Sequence, residues 1–228
     1  MGYLLMVLSM SIADTYQRLR DEIPARVTIV VAAKTRSAEE MLEVIEAGAT
    51  DIGHNYVQEA EQARAALGPD ADRVRWHLIG HLQTNKINKA LQVFDVMQTV
   101  DSLETARAID TRAARFCRVV PVYIEVNSAS EASKTGVAPD LKALAGLARG
   151  LCTFEHVRLD GLMTMGPLGA GDDVRAAFRK TRHLFDQLRG LGMTCLDTLS
   201  MGMTDSYRIA IEEGATMVRP GTIVFGPR

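Results

Sequence analysis

Short apolar runs alternate with helical patterns along almost the whole of this chain. In residues 12–23 the apolar positions recur on one helical face, and Pro24 ends the pattern. Residues 27–33 form a near-continuous β-branched run, which is typical of a strand covered on both faces. Ser37 and Glu40 then have the spacing of a capping box, so the next helix is predicted to begin there.

The strand–helix unit repeats along the rest of the sequence. Further strands are predicted at residues 51–53, 74–79, 96–100, 121–126, 157–162, 196–199 and 216–218, with helical patterns between them. Eight strands that alternate with helices, preceded by one extra helix, predict a (β/α)8 TIM barrel. A doubly wound open sheet is the alternative, but it requires a glycine-rich first turn, and here the first strand ends in Lys34-Thr-Arg-Ser.

Composition limits the possible classes of protein. The chain is 47% hydrophobic and 24% charged with a formal net charge of -2, which gives no electrostatic reason to expect nucleic-acid or membrane binding. No linker interrupts the pattern, so we expect a single domain over residues 1–228. The apolar residues 1–9 are too short to cross a membrane and lack a basic region, and we interpret them as an extension outside the core.

The three cysteines, Cys117, Cys152 and Cys195, have no spacing typical of a metal site or a disulfide framework. We interpret them as buried, reduced thiols, which fits a cytoplasmic protein. No metal site is predicted.

Two loops rich in small residues follow the last two predicted strands. Ser200-Met-Gly-Met-Thr204 follows the seventh strand and opens a helix, and Arg219-Pro-Gly-Thr222 follows the eighth. Glycine loops and helix N-termini present backbone N–H groups to phosphate, and TIM barrels often hold a phosphate after strands seven and eight. We therefore expect a phosphate site made by Ser200, Gly202, Gly221 and Thr222.

Lys34 stands at the end of the first predicted strand. Alternation places Thr28, Val30, Ala32 and Lys34 on the face that lines the barrel, and the bulkier residues between them under the helices. The amine of Lys34 is then expected to be partly buried near Arg219. Burial and a second cation favour the neutral amine, which is the form that condenses with an aldehyde.

A lysine, a phosphate site and an arginine at one barrel mouth fit pyridoxal 5′-phosphate (PLP). Lys34 would form a Schiff base with the aldehyde, and Arg219 would meet the pyridine nitrogen. Arginine is a permanent donor, so it favours an unprotonated pyridine ring, which is a weak electron sink. This arrangement disfavours the carbanion chemistry of decarboxylases and transaminases.

Short motifs spread from about Met10 to Arg228 extend this interpretation. They are Ala32-Ala-Lys34-Thr, Asn55-Tyr-Val-Gln-Glu59, Trp76-His-Leu-Ile-Gly-His-Leu-Gln83, Ser133-Lys-Thr-Gly136, Gly161-Leu-Met-Thr164, Leu199-Ser-Met-Gly-Met203 and Met217-Val-Arg219 with Gly221-Thr. Together they resemble the pyridoxal phosphate homeostasis protein family, the stand-alone barrels similar to alanine racemase. The resemblance implies a type III PLP fold and a carrier or regulator of PLP and amino-acid balance without established catalysis.

The resemblance also implies roles for individual residues. It makes Lys34 the Schiff-base lysine, Arg219 the partner of the ring nitrogen and Asn55 a contact beside the ring. The loops at residues 200–202 and 221–222 become the phosphate cup. PLP is then the cofactor, with apo PLP-dependent enzymes and free amino acids as possible partners of a monomer.

Several further residues are open to two interpretations. His81 is expected near the pocket, whereas His77 is expected to be a hydrogen-bonded histidine of the barrel. Met163 and Met201 are interpreted either as pliable pocket walls or as core residues. Lys134 is interpreted as a solvated loop residue rather than a second anion site.

The sequence departs from the family pattern at two places. His54 stands where the family usually has glutamate, which would add a titratable group beside Asn55. The loop at residues 128–132 is also altered. Neither departure changes Lys34 or the predicted phosphate site.

Two enzymatic alternatives remain open. A PLP-dependent amino-acid racemase needs an acid–base group on each face of the cofactor, and in alanine racemases the second group is a tyrosine from an added C-terminal domain. This chain stops at Arg228, which we take as an argument against a racemase. The other alternative is a phosphosugar barrel enzyme that uses Lys34 as a Schiff-base lysine.

Overall fold

The computed structural model describes residues 10–129, 135–167 and 169–227. The predicted extension at residues 1–9, most of the altered loop at 128–132, and Lys134 lie outside the described residues.

Eight parallel strands close into a barrel in the order in which they occur along the chain. They are β1 (Thr28–Ala32), β2 (Asp51–His54), β3 (Arg75–Leu78), β4 (Val96–Val100), β5 (Val120–Glu125), β6 (Val157–Thr164), β7 (Thr198–Met201) and β8 (Met217–Val218). The barrel closes where Thr28 of β1 pairs with Met217 of β8. This confirms the predicted TIM barrel and excludes the open sheet.

Helices connect the strands, and one helix precedes β1. They are α1 (Ile12–Glu22), α2 (Ala38–Glu46), α3 (Val57–Leu67), α4 (Ile87–Val93), α5 (Leu103–Ala113), α6 (Leu141–Leu151), α7 (Asp172–Gly190), α8 (Tyr207–Glu212) and α9 (Thr222–Phe225). Short 3-10 turns occupy Gly68–Arg73, Thr84–Lys86 and Ala114–Phe116. The Ser37–Glu40 capping box is formed at α2, and Ser102 and Asp140 cap α5 and α6.

The two faces of the strands pack in different layers. Val27, Ile29, Val31 and Ala33 belong to the large apolar cluster between the strands and the helices, as predicted from alternation. The barrel interior holds a much smaller apolar cluster: Val30, Val96, Tyr123, Met163 and Met217. The rest of the interior is polar, because Asp51, His77, Gln98 and Ser200 are all buried there.

At their carboxyl ends, β6 and β7 each extend two residues further than the sequence predicts. The predicted sixth strand ends at residue 162 and the seventh at 199, whereas β6 continues to Thr164 and β7 to Met201. Ser200 therefore lies inside β7, where it pairs with Met217 of β8, and not in a loop. Ladder pairing with both neighbouring strands overrides the small-residue composition that suggested a turn.

The prediction that the cysteines are buried is wrong. Cys117, Cys152 and Cys195 are all exposed. Cys117 ends a 3-10 turn, Cys152 is the residue after α6, and Cys195 precedes β7. Connecting segments lie on the surface, and this position outweighs the usual preference of cysteine for the interior.

Within the described ranges, none of the helices is both long enough and apolar enough to span a membrane.

Candidate functional site

A pocket of about 210 Å³ opens at the carboxyl ends of the strands, where TIM barrels place their active sites. Residues that follow β1, β2, β3, β6, β7 and β8 border it. They are Ala32, Lys34, Arg36, Asn55, Ile79, Met165, Met203, Thr204, Asp205, Arg219, Gly221 and Thr222. The structure thus brings together five of the seven residues that the sequence predicts to bind a cofactor.

Lys34 lies in the turn that follows β1, at the edge of this pocket. Its side chain is exposed, so the expected partial burial of the amine is not found. The next residue, Thr35, has a φ of 64°, which is unusual for a β-branched side chain. After it, Arg36 donates a hydrogen bond of 2.6 Å to the carbonyl of Gly226. The turn that presents Lys34 is therefore tied to the last segment of the chain.

Arg219 forms the buried side of the pocket and is only 2% exposed. Its Nη1 donates to Ser200 Oγ at 2.7 Å, and its Nη2 donates to the carbonyl oxygen of Thr164 at 2.9 Å. Burial lowers the pKa of Arg219 to about 10, while Glu125 acts in the opposite direction. The guanidinium therefore stays protonated at neutral pH and remains a donor.

A line of buried polar side chains continues below Arg219 into the barrel. Ser200 Oγ donates to Gln98 Oε1 at 2.7 Å, and Gln98 Nε2 lies 2.9 Å from Nδ1 of His77. The Nε2 atom of His77 lies 2.8 Å from Asp51 Oδ1. The expectation that His77 is a hydrogen-bonded barrel histidine is confirmed.

Asp51 ends this line as a carboxylate. Burial opposes its ionisation, but the hydrogen bond from His77, together with Thr50 and Arg75, lowers its pKa overall. Arg75 Nη2 lies 2.8 Å from Asp51 Oδ1, and most of the Arg75 side chain is exposed. The polar line thus runs from the pocket to the opposite end of the barrel.

Only part of the predicted phosphate site borders the pocket. Gly221 and Thr222 do, whereas Ser200 and Gly202 do not. The hydroxyl of Ser200 is used by Arg219 and Gln98. Gly202 has a φ of 95°, and a Cβ atom there would lie 2.5 Å from Cβ of Ala210. Its lack of a side chain is therefore explained by close packing of α8.

Thr204 is a pocket residue that the sequence analysis did not single out. Its Oγ1 accepts hydrogen bonds from the backbone N–H groups of Gly221 at 3.2 Å and Ile223 at 3.3 Å. This joins the loops after β7 and β8. A Cβ atom on Gly221 would lie 2.9 Å from the carbonyl oxygen of Ala32, so this position requires glycine. In the sequence, the feature that could have identified Thr204 as a pocket residue is its position in the loop after β7.

Asn55 follows β2 and borders both this pocket and a neighbouring one. Gly80 packs directly on its backbone, since a Cβ atom at Gly80 would lie 2.3 Å from the Asn55 carbonyl oxygen. His81 borders only the neighbouring pocket, with Gln83 and Lys86. His81 therefore lies near the pocket that contains Lys34 without bordering it.

His54 does not add a titratable group to the pocket, contrary to expectation. Its ring points to the other face of β2 and stacks on Trp76, with ring centroids 5.6 Å apart. Neither ring nitrogen has a hydrogen-bond partner in the part of the chain that the structure describes. Burial lowers the pKa of His54 to about 4, so the ring is neutral at neutral pH. Adjacent residues of a strand face opposite ways, which separates His54 from Asn55.

A second cavity of about 320 Å³ adjoins the first through Met165 and Met203. Glu125 borders it with Oε1 accepting from Thr135 at 3.0 Å, and burial raises the pKa of this carboxyl. Met163 and Met201 border neither cavity and are core residues. The methionines at the pockets are Met165 and Met203, two residues further along, because β6 and β7 are longer than predicted.

A search of the described ranges finds no cluster of three or more His, Cys, Asp or Glu side chains able to hold a metal ion. The polar side chains that border this pocket carry one amine, two guanidinium groups, one amide, two hydroxyls and one carboxylate. This donor set suits an organic anion better than a cation.

Comparison with known proteins gives similarity over nearly the full chain. Residues 9–228 match the family described as alanine racemase, N-terminal domain. The pyridoxal phosphate homeostasis protein of Pseudomonas aeruginosa is 40% identical over 209 residues, which cover 90% of this chain and 86% of that protein.

Two solved structures are also similar. PipY of Synechococcus elongatus PCC7942, described with PLP bound, is 32% identical and has a TM-score of 0.85, over 94% of this chain and all of that chain. An alanine racemase of Clostridium difficile 630 has a TM-score of 0.83 at 15% identity, over 96% of this chain and 57% of that chain. The second likeness concerns the fold alone.

Proposed function

This chain belongs to the family of the pyridoxal phosphate homeostasis proteins, and we propose that it binds PLP in the pocket beside Lys34. The observation that carries the proposal is the buried, protonated Arg219 in the same pocket as the amine of Lys34. We further propose that the protein acts in PLP and amino-acid homeostasis as a carrier or regulator, without catalytic turnover.

The residues that border the pocket fit PLP chemically. Lys34 supplies a primary amine for a Schiff base with the aldehyde, and Arg219 supplies N–H donors for the pyridine nitrogen. Thr222 would supply a hydroxyl for the phosphate, and Gly221, whose N–H donates to Thr204, allows the loop to lie close to Ala32. Asn55, which borders the pocket, would contact the ring, and Asp205 adds a carboxylate at the solvent-exposed rim.

Thr204 joins the phosphate-binding residues in this proposal, and Ser200 and Gly202 act behind them. Ser200 holds Arg219, and Gly202 lets α8 approach the end of β7. PLP, when bound, supplies an aldehyde that exchanges between amines. The chain itself binds the phosphate, orients the ring and presents Lys34.

A role without turnover is supported by the charges around the pocket. A guanidinium that stays protonated leaves the pyridine nitrogen without a proton, which makes the ring a poor electron sink. His54 faces away from the pocket and His81 borders a neighbouring one. Neither histidine is placed as the second acid–base group that racemisation needs.

Absorption and mass spectrometry test PLP binding and its site. The purified protein with PLP is expected to show a visible imine band that borohydride removes, with the label on the peptide that contains Lys34. The Lys34→Ala variant should lose the band and keep the fold. Lys86→Ala is the matched control, because Lys86 borders the neighbouring pocket. A label mainly on Lys86 or Lys134 would refute the assignment, and an absent band in the wild type would refute PLP binding.

Exchange of the α-hydrogen tests the absence of turnover. After incubation with alanine or serine in deuterated water, we expect a spectral change but no deuterium incorporation above a control with PLP alone. Racemisation or incorporation at many turnovers per site would instead identify a PLP-dependent racemase.

A further inference from the structure

Arg219 is the first member of an unbroken chain of buried hydrogen bonds through the barrel. Arg219 Nη1 lies 2.7 Å from Ser200 Oγ, which lies 2.7 Å from Gln98 Oε1. Gln98 Nε2 lies 2.9 Å from His77 Nδ1, and His77 Nε2 lies 2.8 Å from Asp51 Oδ1. All five residues are at most 2% exposed. The chain links residues on or directly after five of the eight strands.

The donors and acceptors along this chain follow one consistent direction. Arginine can only donate, so Ser200 Oγ accepts from Arg219, and in the structure the Ser200 hydroxyl donates to Gln98 Oε1. At the other end, the carboxylate of Asp51 can only accept, so His77 must carry its proton on Nε2. Gln98 is the link that accepts from a hydroxyl and donates to an imidazole at the same time.

We propose that Ser200, Gln98 and His77 are positioning residues that hold the Arg219 guanidinium in place for the pyridine nitrogen of PLP. This proposal rests on the proposed function. The Arg219 guanidinium also donates to the Thr164 carbonyl and contacts the sulfur of Met165 at 3.7 Å. The hydrogen bond to Ser200 therefore fixes the direction of Arg219 Nη1. Gln98 and His77 in turn hold the Ser200 hydroxyl in position.

The location of this hydrogen-bonded chain in the barrel interior supports a role in orienting Arg219 and not only in packing. The apolar cluster of the interior already includes Val30, Val96 and Met163, so apolar residues fit this space. A buried polar chain is costly unless every member is satisfied, and here each link has its partner. Such a chain holds one geometry, because breaking one link leaves a buried group unpaired.

The tautomer of His77 tests the chain in protein without PLP. Nitrogen-15 NMR of labelled histidines should show the neutral Nε2–H form for His77 and retain it when PLP is added. A dominant Nδ1–H form would overturn the proposal, because Gln98 Nε2 would then have no acceptor. This result is independent of whether the protein binds PLP.

A double-mutant cycle tests the effect on the cofactor. Ser200→Ala should weaken PLP binding roughly tenfold in equilibrium dialysis, and Gln98→Met, which keeps a similar shape, roughly threefold. Both should shift the visible band of the bound cofactor. Because the two residues act through one chain, the double variant should bind PLP no more weakly than Ser200→Ala alone.

Val96→Ala is the matched control, since Val96 lies in the barrel interior on the same strand as Gln98 but belongs to the apolar cluster. It should lower stability while leaving the PLP affinity and the visible band unchanged. The proposal is overturned if Val96→Ala moves the band as the other variants do. It is also overturned if the fold-changes in PLP affinity caused by Ser200→Ala and Gln98→Met multiply in the double variant, or if neither variant shifts the visible band. Failure of the wild-type protein to bind PLP would instead overturn the proposed function. The NMR measurement on His77 would still show whether the chain of hydrogen bonds exists.

Discussion

The interior of the barrel and the layer between its strands and helices are stabilised by different interactions. In β2, Ile52 points outward into the apolar layer, while Asp51 points inward to His77. In β7, Leu199 points outward and Ser200 inward. Adjacent residues of one strand thus belong to two environments, one apolar and one connected by hydrogen bonds.

This difference affects how each region tolerates change. The outer layer depends on buried apolar area, which is non-directional, so shape-conserving substitutions cost little there. The interior depends on directional hydrogen bonds, in which removal of one partner leaves another buried and unpaired. The interior lies directly below Arg219, so only changes in the interior are expected to affect the pocket that contains Lys34.

The largest expected effect belongs to the outer layer. Leu188 on α7 is fully buried, and Leu188→Ala should lower the free energy of unfolding by about 2–5 kcal/mol through lost apolar burial and a cavity. The PLP affinity of the molecules that remain folded should not change. Urea unfolding and equilibrium dialysis measure the two quantities. Leu188→Met, which conserves volume, should cost less than about 1.5 kcal/mol. Weaker PLP binding by Leu188→Ala would remove the distinction between the regions.

A matched pair of buried threonines tests the two regions with the same chemical change. Thr164 Oγ1 donates to the Val126 carbonyl at 2.8 Å and lies 2.7 Å from Ser128 Oγ at the second cavity, and the Thr164 carbonyl accepts from Arg219. Thr181 Oγ1 on α7 donates to the Ala177 carbonyl, one helical turn earlier. Thr164→Val should cost about 1–3 kcal/mol and weaken PLP binding. Thr181→Val should cost about 1 kcal/mol or less, because the Ala177 carbonyl keeps the backbone hydrogen bond of its helix. Equal losses of unfolding free energy for the two variants in urea would contradict the difference between the two regions.

His54 is a polar exception on the outer face of β2 and gives that side a pH dependence. Its pKa is about 4 in the folded protein and about 6.5 in an unfolded chain. Between these values the unfolded chain binds a proton that the folded protein does not. Stability should therefore fall as the pH falls through 6.5 and level off near pH 4. The loss at pH 5 is about 2 kcal/mol.

His54→Phe isolates this contribution, because it keeps a ring against Trp76 without a titratable group. Urea unfolding at about pH 7.5 and pH 5 should show a smaller loss for the variant than for the wild type, by about 2 kcal/mol. All other titrating groups are shared by the two proteins. The same loss in both would show that His54 is not buried in its neutral form.

The smallest expected effect comes from a helix cap outside both regions. Ser102 Oγ accepts from the Thr105 N–H at the start of α5, and Ser102→Ala should cost about 1 kcal/mol. Ser102→Asp should keep the cap and most of the stability. Thermal unfolding measures both variants, and PLP affinity should be unchanged in each. A loss as large as that of Leu188→Ala would mean that α5 depends on its cap more than on its buried face.

Local patterns were sufficient for much of the site. Lys34 and Arg219 were predicted from their positions after the first and last strands, and they border one pocket. Ser200 was assigned to the phosphate loop because small residues favour turns, yet it lies within β7. Thr204 was not singled out, because its hydrogen bonds to Gly221 and Ile223 cross between two loops.

The order of the elements, the strand faces and the caps follow from local features of the sequence. The periods of 2 and 3.6 residues and the local signals of Ser37, Ser102 and Asp140 act within a few residues of the chain. The ends of β6 and β7, the direction in which His54 faces and the bond between Ser200 and Arg219 become apparent in the folded barrel. These features depend on pairing and hydrogen bonds between residues far apart in sequence: Ser200 and Gln98 are 102 positions apart. Barrel closure brings such groups within hydrogen-bonding distance, and no local pattern records which partner each one meets.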